Sequence, residues 1–173
     1  MNKIAIIGSG GAGKSTLARS LGEILPLPVI HLDALFWHPG WIPTDEAEWD
    51  RQMEELIARE RWIIDGNYGR TMDVRLEAAD TIIFLDYPTR IPLLRVVKRR
   101  LQYHGKTRPD MNEGCHEKLD LQFIQWVYNY RRDKRPSIMK KLEGYRQSKK
   151  VLIFSSPKHL KQFLRSLETE YKG

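Results

Sequence analysis

A chain of 173 residues, 41% apolar and 10% aromatic, has the length of one domain and the material for a packed core, which excludes a disordered polypeptide. No apolar run approaches the ~20 residues of a bilayer crossing. Met1-Asn2-Lys3 leads straight into Ile4-Ala5-Ile6-Ile7, too short for a signal peptide's apolar core. The single cysteine, Cys115, excludes an intrachain disulfide and a cysteine-rich zinc site. A cytoplasmic protein with no membrane partner is expected. The net charge of +7 is uneven: residues 1–89 hold 8 Lys/Arg against 14 Asp/Glu, and residues 90–150 hold 17 against 6. The basic segment would gather a phosphate-bearing partner, nucleotide or nucleic acid, unless it is a set of solvated helix faces.

The first apolar run, Lys3–Ile7, reads as a buried strand. Directly after it come Gly8, Ser9, Gly10, Gly11, Ala12, Gly13, Lys14 and Ser15, a full match to G-x-x-x-x-G-K-[ST]. Glycines let such a loop curl so that its N–H groups converge on phosphate oxygens. Ser15 and Thr16 open a run with helical apolar spacing, whose positive dipole end points at the same anion. Lys14 is expected to reach the β- and γ-phosphates of ATP, and the Ser15 hydroxyl to ligate Mg²⁺. Nucleotide binding is thereby placed on Gly8–Thr16.

Pro28–Leu32 reads as the second strand, with His31 as a packing or capping residue. Asp33 follows it, where ligands of open α/β sheets gather. A carboxylate there would orient or deprotonate an attacking hydroxyl, or else bind metal or a ribose. Phe36-Trp37-His38-Pro39-Gly40-Trp41 comes next and reads as a Gly/Pro-containing loop. Its aromatics either stack on a base or sugar face or seal a small acceptor lobe, and Trp37 is the acceptor-binding candidate. Asp45, with Glu48 three residues on, opens a helix carrying Trp49, Met53, Leu56 and Ile57 on one face.

The third strand, Trp62–Asp65, ends in Asp65-Gly66, and Asp65 is assigned to supporting Mg²⁺, with turn-capping as the alternative. Asn67, Tyr68, Arg70 and Arg75 follow and are expected to face the same cleft, the arginines making anion contacts. The fourth strand is Thr81–Asp86, with Asp86 expected to cap the turn into the next helix. Arg95 and Arg99 share a helix face and would point at transferring phosphate, with Arg100 beside them. The irregular insert His104–Glu117 carries Arg108, a further clamp candidate like Arg131, Arg132 and Arg135; His104, Cys115 and His116 lack a further ligand at zinc spacing. Lys150–Ser155 is the fifth strand. Ser156 and Pro157 then start a helix lined by Leu160, Phe163, Leu164 and Leu167.

Strands alternating with helices imply an α/β fold with a parallel sheet and right-handed crossovers. Residues 1–173 read as a single domain, with an acceptor-binding lobe near 34–60 and a lid or helical insert near 101–135.

The phosphate loop, Ile64-Asp65-Gly66, Leu85-Asp86-Tyr87-Pro88 and the Arg95…Arg99-Arg100 helix resemble the adenylate-kinase-like branch of P-loop kinases. More closely, the phosphate loop, His31–Trp37, Trp62–Gly69 and Gly105–Met111 resemble the bacterial topology modulation, or FlaR-like, proteins. This resemblance implies a three-layer P-loop fold with a five-stranded parallel sheet of order 2-3-1-4-5, a helical acceptor lobe and a lid. It also implies ATP at Gly8–Thr16 and phosphate-clamping roles for Arg95 and Arg99. Two departures weigh against AMP as acceptor. Gly69 stands where adenylate kinases usually carry an arginine, and Asp33 stands where they lack an aspartate.

The expectation is an ATP- and Mg²⁺-dependent phosphotransferase acting on a small nucleotide- or nucleoside-like or other hydroxyl acceptor, as a monomer or dimer. In it Lys14, Asp33, Arg95, Arg99 and Arg108 carry the chemistry. The rivals are an ATP-responsive DNA-binding regulator of DNA topology and a polynucleotide 5′-end kinase. No separate DNA-reading module is evident.

Overall fold

The computed structural model describes residues 1–103, 111–115 and 120–172. Its elements run β1 (Lys3–Gly8), α1 (Lys14–Ile24), β2 (Val29–His31), α2 (Leu32–Phe36), β3 (Trp37–His38), β4 (Ile42–Pro43), α3 (Glu46–Ala58) and β5 (Trp62–Asp65). They continue with α4 (Met72–Ala78), β6 (Thr81–Leu85), α5 (Arg90–Gln102), α6 (Leu121–Asp133), α7 (Arg135–Tyr145), β7 (Lys150–Phe154) and α8 (Pro157–Lys172).

Five strands form one parallel sheet in the order β2-β5-β1-β6-β7. Counting only its own strands, that is 2-3-1-4-5, as expected. Successive side chains of a strand point to opposite faces, so each central strand feeds two cores. Ile4 and Ile6, with Ile63, Ile83 and Leu85, pack under α1 and α8 through Leu17, Leu21, Leu164 and Leu167. Ala5 and Ile7, with Ile64, Ile82 and Phe84, meet Trp49 and Met53 of α3, Leu76 of α4 and Leu142 of α7. Burial on both faces explains why these strands read as continuous apolar runs. The result is three layers, helix–sheet–helix.

Both helix starts read from the sequence are present, one of them changed. Asp45 accepts from the Ala47 and Glu48 N–H groups at 2.9 and 3.3 Å. Glu48, however, turns to Arg51 and Gln52, so the cap runs in one direction only. The Ser156 hydroxyl accepts from His159 N–H at the start of α8. Asp86 is corrected: it turns away from the α5 entry and pairs with Arg135 at 2.8 Å and Arg131 at 3.5 Å. A nearly buried carboxylate takes the strongest donors within reach, and here these come from α6 and α7. Arg131 and Arg135 are therefore tied to the end of β6.

Phe36–Trp41, expected as a loop, is the end of α2 followed by a small antiparallel hairpin of β3 and β4. Residues 111–115 dock on it. The Asn112 amide donates to the Ala34 and Trp37 carbonyls, Gly40 N–H donates to the Gly114 carbonyl, and the Cys115 thiol donates to the His38 carbonyl. Cys115 is thus a buried structural residue. Among the described residues no helix is long and apolar enough to cross a membrane.

Candidate active site

The centre of the sheet dictates where a ligand can sit. β1 has β5 on one side and β6 on the other, so the chain reverses direction across the sheet at β1, and a crevice opens beyond its carboxyl end. Gly8–Gly13 fills that position and leads into α1. Gly13, in the left-handed region at φ 93°, is the N-cap and offers no side-chain cap. The helix start is thereby left open to an anion. Gly11 is also left-handed, at φ 78°, and a Cβ there would lie 2.5 Å from the Pro92 carbonyl oxygen of α5. Close packing of the loop against α5 needs that glycine.

The phosphate loop lines a cavity of about 1000 Å³. Residues Gly10–Thr16 form its floor, and Lys14 donates to the Gly8 and Ser9 carbonyls at 3.1 Å each. Arg95 and Arg99 line the α5 wall. The Arg95 guanidinium donates to the Ala12 carbonyl at 2.7 Å and lies 5.4 Å from the centre of the Tyr87 ring. Arg99 sits 5.8 Å from the Phe123 ring centre, and Phe123 in turn packs against Gly10. Burial raises the Tyr87 phenol pKa, against the pull of Arg95, so Tyr87 faces the cavity neutral.

Asp33, Trp37, Asn67 and Tyr68 line the same cavity. The Tyr68 hydroxyl donates to Asp33 Oδ1 at 2.8 Å and fixes that carboxylate. Tyr130 of α6 donates to Asn67 Oδ1 at 3.3 Å, and burial drives its own pKa up. The two readings of the aromatic segment divide between its members. Phe36 packs inward on Trp49 and Tyr68, whereas Trp37 and Trp41 line the cavity.

Arg70 and Arg75 are corrected. Arg70 lies outside the cavity, in an exposed pairing with Asp50 and Glu46 that holds the Asp50 carboxyl below its usual range. Arg75 is fully buried. Its guanidinium donates to the Thr71, Gly66 and Tyr68 carbonyls at 3.2, 3.1 and 2.9 Å, and desolvation lowers its pKa to about 10. It shapes the loop that presents Asn67 and Tyr68 and does not face the cleft. Arg108 lies outside the described residues.

Asp65 ends β5 in register with Ile6 of β1, just before the phosphate loop. It is buried and is not among the residues lining the cavity, with Oδ1 bonded to His31 Nδ1 at 2.8 Å and Oδ2 without a hydrogen-bond partner. His31 is therefore the partner that orients Asp65. Mg²⁺ keeps several waters and takes few protein ligands beside substrate phosphates. An orphaned carboxylate oxygen at the end of β5, next to the strand that leads into the phosphate loop, together with Ser15 in the cavity lining, fits that need. A dedicated cage is not required, and none of three or more His, Cys, Asp or Glu groups exists among the described residues.

The fold is that of P-loop kinases. Shikimate kinase from Acinetobacter baumannii in complex with shikimate superposes with a TM-score of 0.58 at 17% identity, over 96% of this chain and 90% of that one. Shikimate kinase from Bacteroides thetaiotaomicron gives 0.56 at 18%, over 98% of each chain, and a gluconokinase from Sinorhizobium meliloti 0.53 at 17%, over 99% and 91%. No protein-family profile and no curated protein sequence matches the chain.

Several cavity residues escaped the sequence reading. Phe123 and Trp126 of α6 close one side, and Pro157, Leu160 and Lys161 extend the cavity along α8. The first pair carried a signal in their three-residue spacing on one helix face. The second lies beyond the carboxyl end of β7, where the rule for open sheets already pointed.

Proposed function

We propose that the chain is a phosphotransferase that moves the γ-phosphoryl group of Mg²⁺-ATP to a hydroxyl acceptor. The supporting observation is one cavity lined both by the phosphate loop and by the Tyr68-anchored Asp33. The loop N–H groups and the start of α1 hold the phosphates. Lys14 leaves the Gly8 and Ser9 carbonyls for the β- and γ-oxygens, and Ser15 and Asp65 would hold Mg²⁺, which offsets phosphate charge when bound.

Asp33 orients the acceptor hydroxyl and takes its proton. The acceptor oxygen forms a bond to the γ-phosphorus as the bridging bond to the β-phosphate breaks, and ADP leaves. Arg95 and Arg99 offset the charge that spreads over the transferring oxygens; Arg108 is proposed to join them. Residues 34–60 serve as the acceptor lobe, and the 101–135 insert contributes Phe123 and Trp126. The motif-level likeness to topology modulation proteins belongs to this reading, with the protein in the cytoplasm.

The test is ADP release from Mg²⁺-ATP over nucleosides, nucleoside monophosphates, sugars and short DNA. We expect release that depends on one acceptor and falls by about 100-fold or more in Lys14→Ala and Asp33→Asn. Slow release indifferent to every acceptor would overturn the reading.

A further inference from the structure

Asn67 lines the cavity, and the backbone on both sides of it is fixed. Gly66 N–H donates to the Ile6 carbonyl of β1 at 3.2 Å. The carbonyls of Gly66 and Tyr68, which flank Asn67, both accept from the buried Arg75 guanidinium. These contacts do not choose between the two orientations of the Asn67 carboxamide. Its C=O and NH₂ ends are nearly equal in size and opposite in hydrogen-bonding sense. A half-turn about the last side-chain bond therefore exchanges an acceptor for donors at one place.

Tyr130 makes that choice. Its hydroxyl donates to Asn67 Oδ1 at 3.3 Å. The side chain is buried in the same core as Ile138 and Leu142, and burial raises its pKa, so the phenol stays a donor at neutral pH. Trp126, one turn earlier on α6, stands edge-on to it at 5.2 Å and stacks on Phe123, which packs against Gly10 of the phosphate loop. The next residue, Arg131, ties the end of α6 to Asp86. With its oxygen bonded to this seated phenol, Asn67 has its NH₂ to give a molecule in the cavity. Asp33 offers the complement. Tyr68 occupies its Oδ1, and a carboxylate presents acceptors only.

We propose that Tyr130 is a positioning residue for the acceptor. It holds the Asn67 carboxamide so that the NH₂ is presented to an oxygen of the bound molecule, while Asp33 takes the reacting hydroxyl. The assignment rests on the phosphotransferase reading and adds a requirement on its acceptor: a second oxygen besides the one phosphorylated, as in a polyhydroxylated compound. Phenylalanine at position 130 keeps the ring and removes the clamp. The amide then samples both orientations, and in one of them its oxygen meets the acceptor's oxygen with no proton between them.

The test is calorimetric titration of the full chain, loaded with Mg²⁺-ADP, with adenosine, thymidine, their 5′-monophosphates, glucose and ribose. It is run on the wild type, Tyr130→Phe, Asn67→Ala and the double variant, with circular dichroism confirming that each is folded. At least one compound should bind the wild type. Tyr130→Phe should weaken that compound by about fivefold, the worth of one neutral hydrogen bond, and leave Mg²⁺-ADP affinity unchanged. On the Asn67→Ala background the same replacement should add nothing, because the phenol acts only through the amide. Unchanged affinity in Tyr130→Phe, an equal loss on the Asn67→Ala background, or binding of none of these compounds overturns the assignment. Turnover then separates the two claims. Acceptor-dependent ADP release whose acceptor KM ignores Tyr130→Phe leaves the phosphotransferase reading standing and sinks this one. The expected binding pattern without Lys14-dependent release sinks the phosphotransferase reading and leaves the Tyr130–Asn67 clamp supported as a binding device.

Discussion

Arg75 shows how one side chain's role depends on what surrounds it. On the sequence it is a cation after the third strand, beside Asn67 and Tyr68, and suited to an anionic ligand. In the fold it is fully buried, and its Nε, Nη1 and Nη2 each donate to a carbonyl, of Thr71, Gly66 and Tyr68, with Asp65 as the charge nearby. A desolvated guanidinium is costly alone and tolerable when its hydrogen bonds are satisfied. Replacing it with methionine leaves those carbonyls and the buried Asp65 uncompensated. Arg75→Met should therefore lose about 3 kcal/mol or more of unfolding free energy by denaturant titration. A loss below about 1 kcal/mol would show that the side chain is not a structural clamp. Arg70→Met, with its exposed partners, should change stability far less.

At the scale of elements, the site is an agreement between the phosphate loop and the helices above it. Gly10 would place a Cβ 2.5 Å from the Phe123 ring of α6, and Gly11 would place one 2.5 Å from the Pro92 carbonyl of α5. The first neighbour is a side chain that can turn aside; the second is backbone. Gly11 also has a positive φ, so alanine there adds backbone strain to a clash that α5 must move to relieve. Gly11→Ala should cost about 2 kcal/mol or more and weaken ATP binding, read together by thermal melts with and without Mg²⁺-ATP. An unchanged melting temperature in both conditions would mean that α5 does not pack on the loop as described. The hairpin of β3 and β4 depends in the same way on Met111–Cys115, whose Asn112 and Gly114 bond to it across more than 70 residues of chain.

At the scale of the molecule, the net charge of +7 and its concentration in residues 90–150 invite a nucleic-acid partner. The fold spends part of that charge internally. Arg131 and Arg135 pair with Asp86, Arg132 with Asp133, Lys141 with Asp73, and Arg146 with Glu143. Arg95 and Arg99 face the cavity. Duplex DNA should therefore bind weakly, with Kd of about 1 μM or above near physiological salt, no sequence preference, and a steep loss as salt rises. Nanomolar, sequence-selective binding in a mobility-shift or anisotropy titration would restore the DNA-binding regulator as the leading reading.

Local pattern settled a large part of this protein. Short apolar runs bounded by turns mark the sheet strands because strands buried on both faces need apolar residues throughout. Gly8–Ser15 announces a phosphate loop because a close backbone approach to phosphate needs glycine at fixed spacing. The strand order came from the resemblance, and the helix faces of Trp49–Ile57 and Leu160–Leu167 from their periodicity. Other features could not be read from local pattern. Whether Arg70, Arg75 or Asp86 meets solvent, ligand or protein depends on partners 4 to 49 residues away. A side chain's type gives what it can bond to, and only packing decides which partner comes within 3 Å. For the same reason the aromatic segment stayed ambiguous until α2, the hairpin and α6 placed Phe36 in the core and Trp37, Trp41 and Trp126 around the cavity. Sequence determined that a phosphate-loop motif follows the first strand and where along the chain it lies. Tertiary structure decided which side chains share its cavity: Asp33, Trp37, Asn67 and Tyr68 line it, whereas Arg70 and Arg75 are held by protein partners outside it.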